Sequence, residues 1–319
     1  MSLGLPRGSA LLLHALVCLA LLGVVPFIGP SLNVPSGDFI LWQLRVPRLL
    51  VGAIVGGTLG LSGAVYQALF RNGLATPSTV GTLAGATLGA LAVLVLGGGS
   101  ALGLPAVALA AFVGGLGLSG LVLLVAARQR ASMGDVLLAG IAVTLAASAL
   151  STGLQYTADS RALFAAAQWS LGSLPQVGYR AVLWLVPFCG CSSLVLLVLA
   201  RPLQSLVSGE EVAATQGVNV ARVRALALGG GALGVAACVA WCGPIAFVGL
   251  LVPHLVRGLG VVSYRRLLPL SWIYGATLLV WCDLLARLVW PRGELPVGVV
   301  TAALGAPALI VVVARKRRA

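Results

Sequence analysis

Lysine is almost missing from this chain: of its 20 basic residues only Lys316, in the C-terminal tail, is a lysine. A phosphate-cradling loop needs Gly-rich backbone closed by Gly-Lys-Ser/Thr, so the chain does not hold a nucleotide in that way. Histidine is nearly as scarce, with only His14 and His254, and there are 7 acidic residues in all. No two carboxylates share an apolar segment and no Ser/His/Asp grouping emerges from the residue order, which argues against a hydrolytic or intramembrane enzyme. The run GGGALG at 229–234 has the letters of a dinucleotide fingerprint, but it lies in an apolar stretch with no strand before it. The six cysteines (Cys18, Cys189, Cys191, Cys238, Cys242, Cys282) all fall in apolar runs, so there is no disulfide framework to read. Cys238 and Cys242 share a helical face, yet no His, Asp or Glu lies near them in sequence, and packing accounts for them better than a metal does. No cofactor is expected in this chain.

What the chain has instead is hydrocarbon. It is 60% hydrophobic and 8% charged, with a mean hydropathy of +1.08, where a soluble domain carries roughly 25% charge. Ten apolar runs, near 9–29, 47–69, 79–98, 103–126, 134–157, 181–201, 224–243, 246–261, 267–290 and 296–314, approach the ~20 residues that cross a bilayer as a helix. The expected fold is all-α: a polytopic membrane protein of about ten transmembrane helices in one domain spanning 1–319. The eighth run is short enough to be a re-entrant element instead. With 42 glycines and 16 prolines the chain suits closely packed, locally broken helices and lacks the alternation of a β-barrel. The first run is too long for a signal-peptide core and is read as helix one.

The net charge of +13 has a topology in it. Arg7, Arg71, Arg128, Arg130, Arg201, Arg222, Arg224, Arg265, Arg266, Arg315, Lys316, Arg317 and Arg318 fall on one side of the membrane. Only Arg45, Arg48, Arg161, Arg180 and Arg292 fall on the other. The positive-inside rule then puts both termini in the cytoplasm, with RKRR as an anchor and no role in binding nucleic acid.

Four features stand out against the apolar background. Gly52, Gly56 and Gly60, continued by Ala64, and Gly81, Gly85 and Gly89 recur every fourth residue, forming ridges on which helices approach closely. Gly243-Pro244 and Val252-Pro253 interrupt two successive runs, predicting a tight turn, and Pro296 and Pro307 bracket the last. Asp283, the acidic residue deepest in a span, stands four residues before Arg287; the spacing predicts an ion pair, the alternative being an ion-coupling site. Between two spans lies a polar island, RPLQSLVSGEEVAATQGVNVARVR (201–224), that belongs in water.

Three stretches go further. RVPRLLVGAIVGGTLGLSGAVYQALFRNGLATPSTVG (45–81), the island with SGEEVAATQGVNVARVR, and CGPIAFVGLLVPHLVR (242–257) continued by YRRLLPLSWIYGA and DLLARLVWPRGELPVGVVTAALGAP together closely resemble the iron-chelate and cobalamin permease family of ATP-binding-cassette importers. The resemblance runs in order from about residue 40 to the end. It implies a dimer of ten-helix permeases in a bacterial inner membrane, a homodimer or a pair of similar subunits. It further implies two cytoplasmic ATPase subunits that bind ATP and Mg below, and a periplasmic substrate-binding protein that docks above. The cargo the resemblance implies is an iron chelate (siderophore or haem), with cobalamin as the alternative.

The resemblance also assigns residues. Gly209, Glu210, Glu211, Ala214, Gly217 and Val218, within a segment of about 203–222, resemble the coupling helix that meets the ATPase; Glu210 and Glu211 also suit the positive end of a helix dipole. Arg45, Arg48 and Arg287 resemble the arginines that receive carboxylates of the binding protein, since a guanidinium fork takes a carboxylate bidentately; snorkelling is the alternative for the first two. Ser148, Ser151, Thr152 and Gln155 follow three/four spacing on helix five and make a candidate stripe along the translocation path, unless their hydroxyls bond back to their own helix. Two departures are visible. Asn72-Gly73-Leu74-Ala75 stands where relatives have Asn-Pro-Leu-Ala, which is expected to loosen that turn, and Ser263-Tyr264-Arg265 replaces a more polar loop.

Overall fold

The computed structural model describes residues 7–28, 37–97, 104–127, 132–289 and 293–316. Arg128, Arg130, Arg292, Arg317 and Arg318 of the charge pattern lie outside them. The described residues form helices joined by short turns, with no strand among them. In chain order they are α1 (Arg7–Val24), α2 (Gly37–Phe39) running through a π-helical turn into α3 (Val46–Leu69), α4 (Thr82–Leu96), α5 (Leu104–Ala126), α6 (Met133–Tyr156) and α7 (Ser160–Ser170). There follow α8 (Arg180–Val198), α9 (Ala200–Ser208), α10 (Glu210–Thr215), α11 (Val220–Cys242), α12 (Val248–Gly258), α13 (Tyr264–Leu288) and α14 (Val297–Lys316). Each of the ten predicted runs holds a helix. Six of these, among the described residues, are long and apolar enough to cross a membrane: Gly37–Leu69, Ala106–Ala126, Met133–Tyr156, Arg180–Val198, Val220–Cys242 and Tyr264–Leu288. The others are shorter, and the 11-residue α12 extends only about 16 Å along its axis.

Helix α3 is the axle of the bundle, buried along nearly its whole length and packed on α13, α12, α8 and α11. The glycine ridge explains how. A Cβ at Gly56 would collide with the carbonyl oxygen of Gly275 and one at Gly60 with that of Ser271, while Gly52 faces Val280. Gly85 and Gly89 meet Gly114 and Ala110 of α5 in the same manner. Backbones this close gain dispersion contacts that lipid does not supply. Gly81 is different from the ridge predicted for it: at φ +81° it caps the start of α4 and serves the turn.

Polar side chains inside the bundle tie helices together. Thr82 and Ser119 share a hydroxyl–hydroxyl bond of 2.6 Å between α4 and α5, Ser192 donates to Gly230 O at 2.6 Å, and Tyr66 donates to Leu228 O at 2.9 Å. The cysteines are free; Cys189 and Cys238 share a thiol–thiol hydrogen bond of 3.7 Å, with no disulfide, between α8 and α11. Among the described residues no three His, Cys, Asp or Glu side chains gather as a metal site would require.

The prolines behave unevenly. The turn at Gly243-Pro244 forms as predicted, with Gly243 at φ +68° and Phe247 at φ +67° leading into α12. Pro253 and Pro307, in contrast, lie inside α12 and α14 and end neither helix. A proline removes one donor; Pro253 is buried among its neighbours, whereas Pro307 lies on an exposed face of α14. The turn at Asn72 is held as well: Leu74 N donates to Asn72 Oδ1 at 2.9 Å and Ala75 N to Asn72 O at 3.0 Å. The side chain of Asn72 therefore closes a turn that the missing proline was expected to loosen.

Candidate functional site

Two sites lie at opposite ends of α3. The first begins with a proline. Pro47 has no N–H to give the carbonyl four residues back, and the chain before it is wound as a π-helical turn, Ile40–Arg45. The carbonyl freed is that of Gln43, which accepts Gly178 N at 2.8 Å and so pins the loop before α8 beside the start of α3. Arg45 and Arg48, one helical step apart, flank the distortion.

Both arginines are almost covered, at 9% and 8% exposure. Arg48 donates Nε to Asp283 Oδ1 and Oδ2 at 3.0 Å each and Nη2 to Oδ1 at 2.8 Å, while its Nη1 reaches Glu294 Oε2 at 2.6 Å. Arg287 Nε stands 3.2 Å from Asp283 Oδ2, so the predicted four-residue pair exists, with Arg48 as a second and closer partner of the same carboxylate. Arg45 Nη1 donates to Pro26 O at 2.9 Å. Arg45, Arg48 and Arg287 thus converge on one cavity of about 420 Å³, walled otherwise by Gln176, Glu294 and apolar side chains such as Ile40, Leu44 and Leu284. Three guanidiniums in a half-open cup are suited to receive carboxylates; Glu294 already lines the cup, and Asp283 is buried against two of the arginines.

At the far end, Arg71, just beyond α3, donates to Leu206 O at 2.8 Å and anchors the polar island to the bundle. The island folds as two short helices. In α9, Leu203 and Leu206 are buried and Gln204, Val207 and Ser208 face outward. Gly209 breaks the path with φ 144° and ψ 146°, a conformation open to glycine alone. In α10, Ala213 alone is buried; Glu210, Glu211, Ala214 and, beyond it, Gly217 are exposed, and Val218 is half-buried. Glu210 pairs with Arg224 of α11, and Ser205 donates to Gln216 Oε1 at 2.6 Å, so the hairpin is braced on both sides. Asn219 then caps α11 by accepting from Arg222 N at 2.9 Å. The segment is a polar knuckle seated directly on the spans.

The helix-five residues divide. Ser148, Thr152 and Gln155 lie on the uncovered face of α6, whereas Ser151 is buried against the chain. Thr152 donates back to Ser148 O at 3.0 Å, as helix hydroxyls commonly do. An uncovered face with polar positions is what a helix beside a partner or a pathway presents.

Glu294 and Gln176 escaped the sequence reading. They sit 246 and 128 residues from Arg48 in the chain, beyond any local spacing rule. The signal for Glu294 was Arg48 itself: a cation held at a span boundary needs a nearby carboxylate, and few acidic residues exist to supply one.

The model of the FecCD transport family matches residues 12–315. The vitamin B12 import system permease protein BtuC of Escherichia coli O17:K52:H18 is 38% identical over 305 residues, 95% of this chain and 92% of that protein. The protein of the same name from Shigella boydii serotype 18 is 38% identical over 286 residues, 89% of this chain and 86% of the relative. A solved inward-facing structure of a metal-chelate type ABC transporter superimposes with a TM-score of 0.88 at 30% identity, covering 97% of this chain and 99% of that one. The chain belongs to the FecCD transport family.

Proposed function

We propose that the chain is the membrane-spanning permease of an ATP-driven importer and that its cargo is a corrinoid of the vitamin B12 type. One observation carries the choice of cargo: 38% identity over 92% of the length of a vitamin B12 permease. The motifs are shared by iron-chelate and cobalamin permeases, and iron chelates came first only as the more numerous class, with cobalamin as the alternative; the relatives favour the alternative.

In this reading the ten apolar segments cross a bacterial inner membrane with both termini in the cytoplasm, and two copies pair around the path. The island at Gly209–Val218 meets a separate ATPase subunit, which holds ATP and Mg, and the cup of Arg45, Arg48 and Arg287 receives a periplasmic binding protein. Support comes from the placement of a polar knuckle and a cationic cup at opposite ends of one buried helix. The scarcity of lysine, which denies this chain a P-loop, agrees. An ion-coupled carrier is disfavoured because both oxygens of Asp283 are engaged by arginines and the residue is 3% exposed.

The test is uptake into liposomes that contain the permease with its ATPase, using binding protein loaded in turn with cobalamin, ferric siderophore or haem. ATP-dependent cobalamin uptake is expected. Uptake of an iron chelate or haem alone reassigns the cargo. Uptake that persists without the ATPase and collapses with the proton gradient overturns the importer reading.

A further inference from the structure

Two cavities open at the arginine end of the bundle. One, about 420 Å³, is the cup holding Arg45, Arg48 and Arg287. The other, about 440 Å³, adjoins it, with Ser173, Trp169 and Trp241 in its wall. Three side chains line both: Arg48, Gln176 and Glu294. The partition between the cavities is therefore the Glu294 carboxylate and its two donors, Arg48 Nη1 at 2.6 Å and Gln176 Nε2 at 3.3 Å.

The two carboxylates on Arg48 are not equivalent. Asp283 has a side chain 4% exposed and is gripped by Arg48 and Arg287 together, a buried arrangement that resists removal. Glu294 leaves 40% of its side chain open, is held by one nitrogen of Arg48, and sits outside any helix, three residues before α14 begins. A half-open ion pair contributes little net stability and exchanges easily for another of the same chemistry.

We propose that Glu294 is an exchangeable ligand of Arg48: in the free permease it occupies the guanidinium face that a carboxylate of the docking protein takes over, and its departure joins the two cavities. The proposal rests on the reading that the arginine cup receives an acidic partner. Replacing one carboxylate by another keeps Arg48 paired throughout, so the exchange carries no penalty for stranding a buried cation. Its mechanical consequence follows the chain. Leu295 N is held by Ala286 O at 3.1 Å, and Gly298, in the first turn of α14, donates to Gly172 O at 3.2 Å and packs against Leu171 O and Pro244 O. Release of Glu294 loosens the start of α14 where it touches both the end of α7 and the turn ahead of α12. Docking on the surface thereby reaches three helix ends at once.

The experiment uses the permease–ATPase complex in nanodiscs, with Glu294→Gln, Gln176→Ala and Arg45→Ala variants in a Cys191→Ser background. Binding-protein affinity is measured together with labelling of the native Cys242, a buried residue in the wall of the second cavity, by a membrane-impermeant maleimide. Glu294→Gln is expected to tighten docking by about three- to tenfold and to speed labelling of Cys242, with Gln176→Ala acting in the same direction but less. Arg45→Ala is expected to weaken docking. Unchanged or weaker docking in both Glu294→Gln and Gln176→Ala, while Arg45→Ala still weakens it, overturns the exchange and leaves the docking site standing. If Arg45→Ala has no effect on docking either, the reading of the cup itself fails and the exchange fails with it.

Discussion

Asp283 accepts three hydrogen bonds from Arg48 and stands beside Arg287, so its charge is neutralised within the chain. Asp283→Asn leaves two largely covered guanidiniums facing a neutral amide. Breaking a buried pair from one side costs about 3–5 kcal/mol, and thermal unfolding in detergent should show a markedly lower midpoint with reduced yield. The double variant Asp283→Leu with Arg48→Met, which removes both charges, should recover part of the loss. A fully stable Asp283→Asn protein that no longer transports would instead favour ion coupling. The pairing of Asp283 with Arg287 was legible in the sequence because i and i+4 share a helix face. Its pairing with Arg48, 235 residues away, was not, since only the packing of α3 on α13 brings the two together.

Among the elements, the knuckle of α9 and α10 turns on Gly209, whose φ of 144° and ψ of 146° strain any L-residue by about 1–3 kcal/mol. Gly209→Ala should therefore shift the exposed face of Glu210, Glu211 and Ala214 without disturbing the spans. ATP hydrolysis stimulated by the binding protein is expected to fall several-fold while the unfolding midpoint of the permease stays near the wild-type value. A parallel loss of both would make the segment merely structural. This island could be read from the sequence as aqueous, and the glycine ridges as contacts, because composition and four-residue spacing survive any fold. The two-helix form of the island could not, nor could the passage of α12 and α14 through Pro253 and Pro307. Both depend on which carbonyls the neighbouring helices leave to be satisfied.

For the whole molecule, α6 turns Leu138, Leu145 and Leu150 outward together with Ser148, Thr152 and Gln155. Lipid suits the first three better than the last three, and a second copy across a polar path suits both. A cysteine at Gln155, in a Cys191→Ser background because Cys191 is the exposed native thiol, should be joined to its counterpart by a short bis-maleimide in the reconstituted complex. Absence of any cross-link, with the thiol still reactive to a monofunctional maleimide, would place α6 against lipid. The arginine cup has a further property at this scale. Arg45, Arg48 and Arg287 are set against Asp283 and Glu294, leaving a surplus of a single elementary charge in a molecule whose formal total is +13. A monopole that small is attenuated over about 8 Å in physiological salt. The cup therefore casts no long-range field, and for the acidic partner proposed above discrimination would fall to the last few ångströms of approach, where the fit of one carboxylate against another is decided.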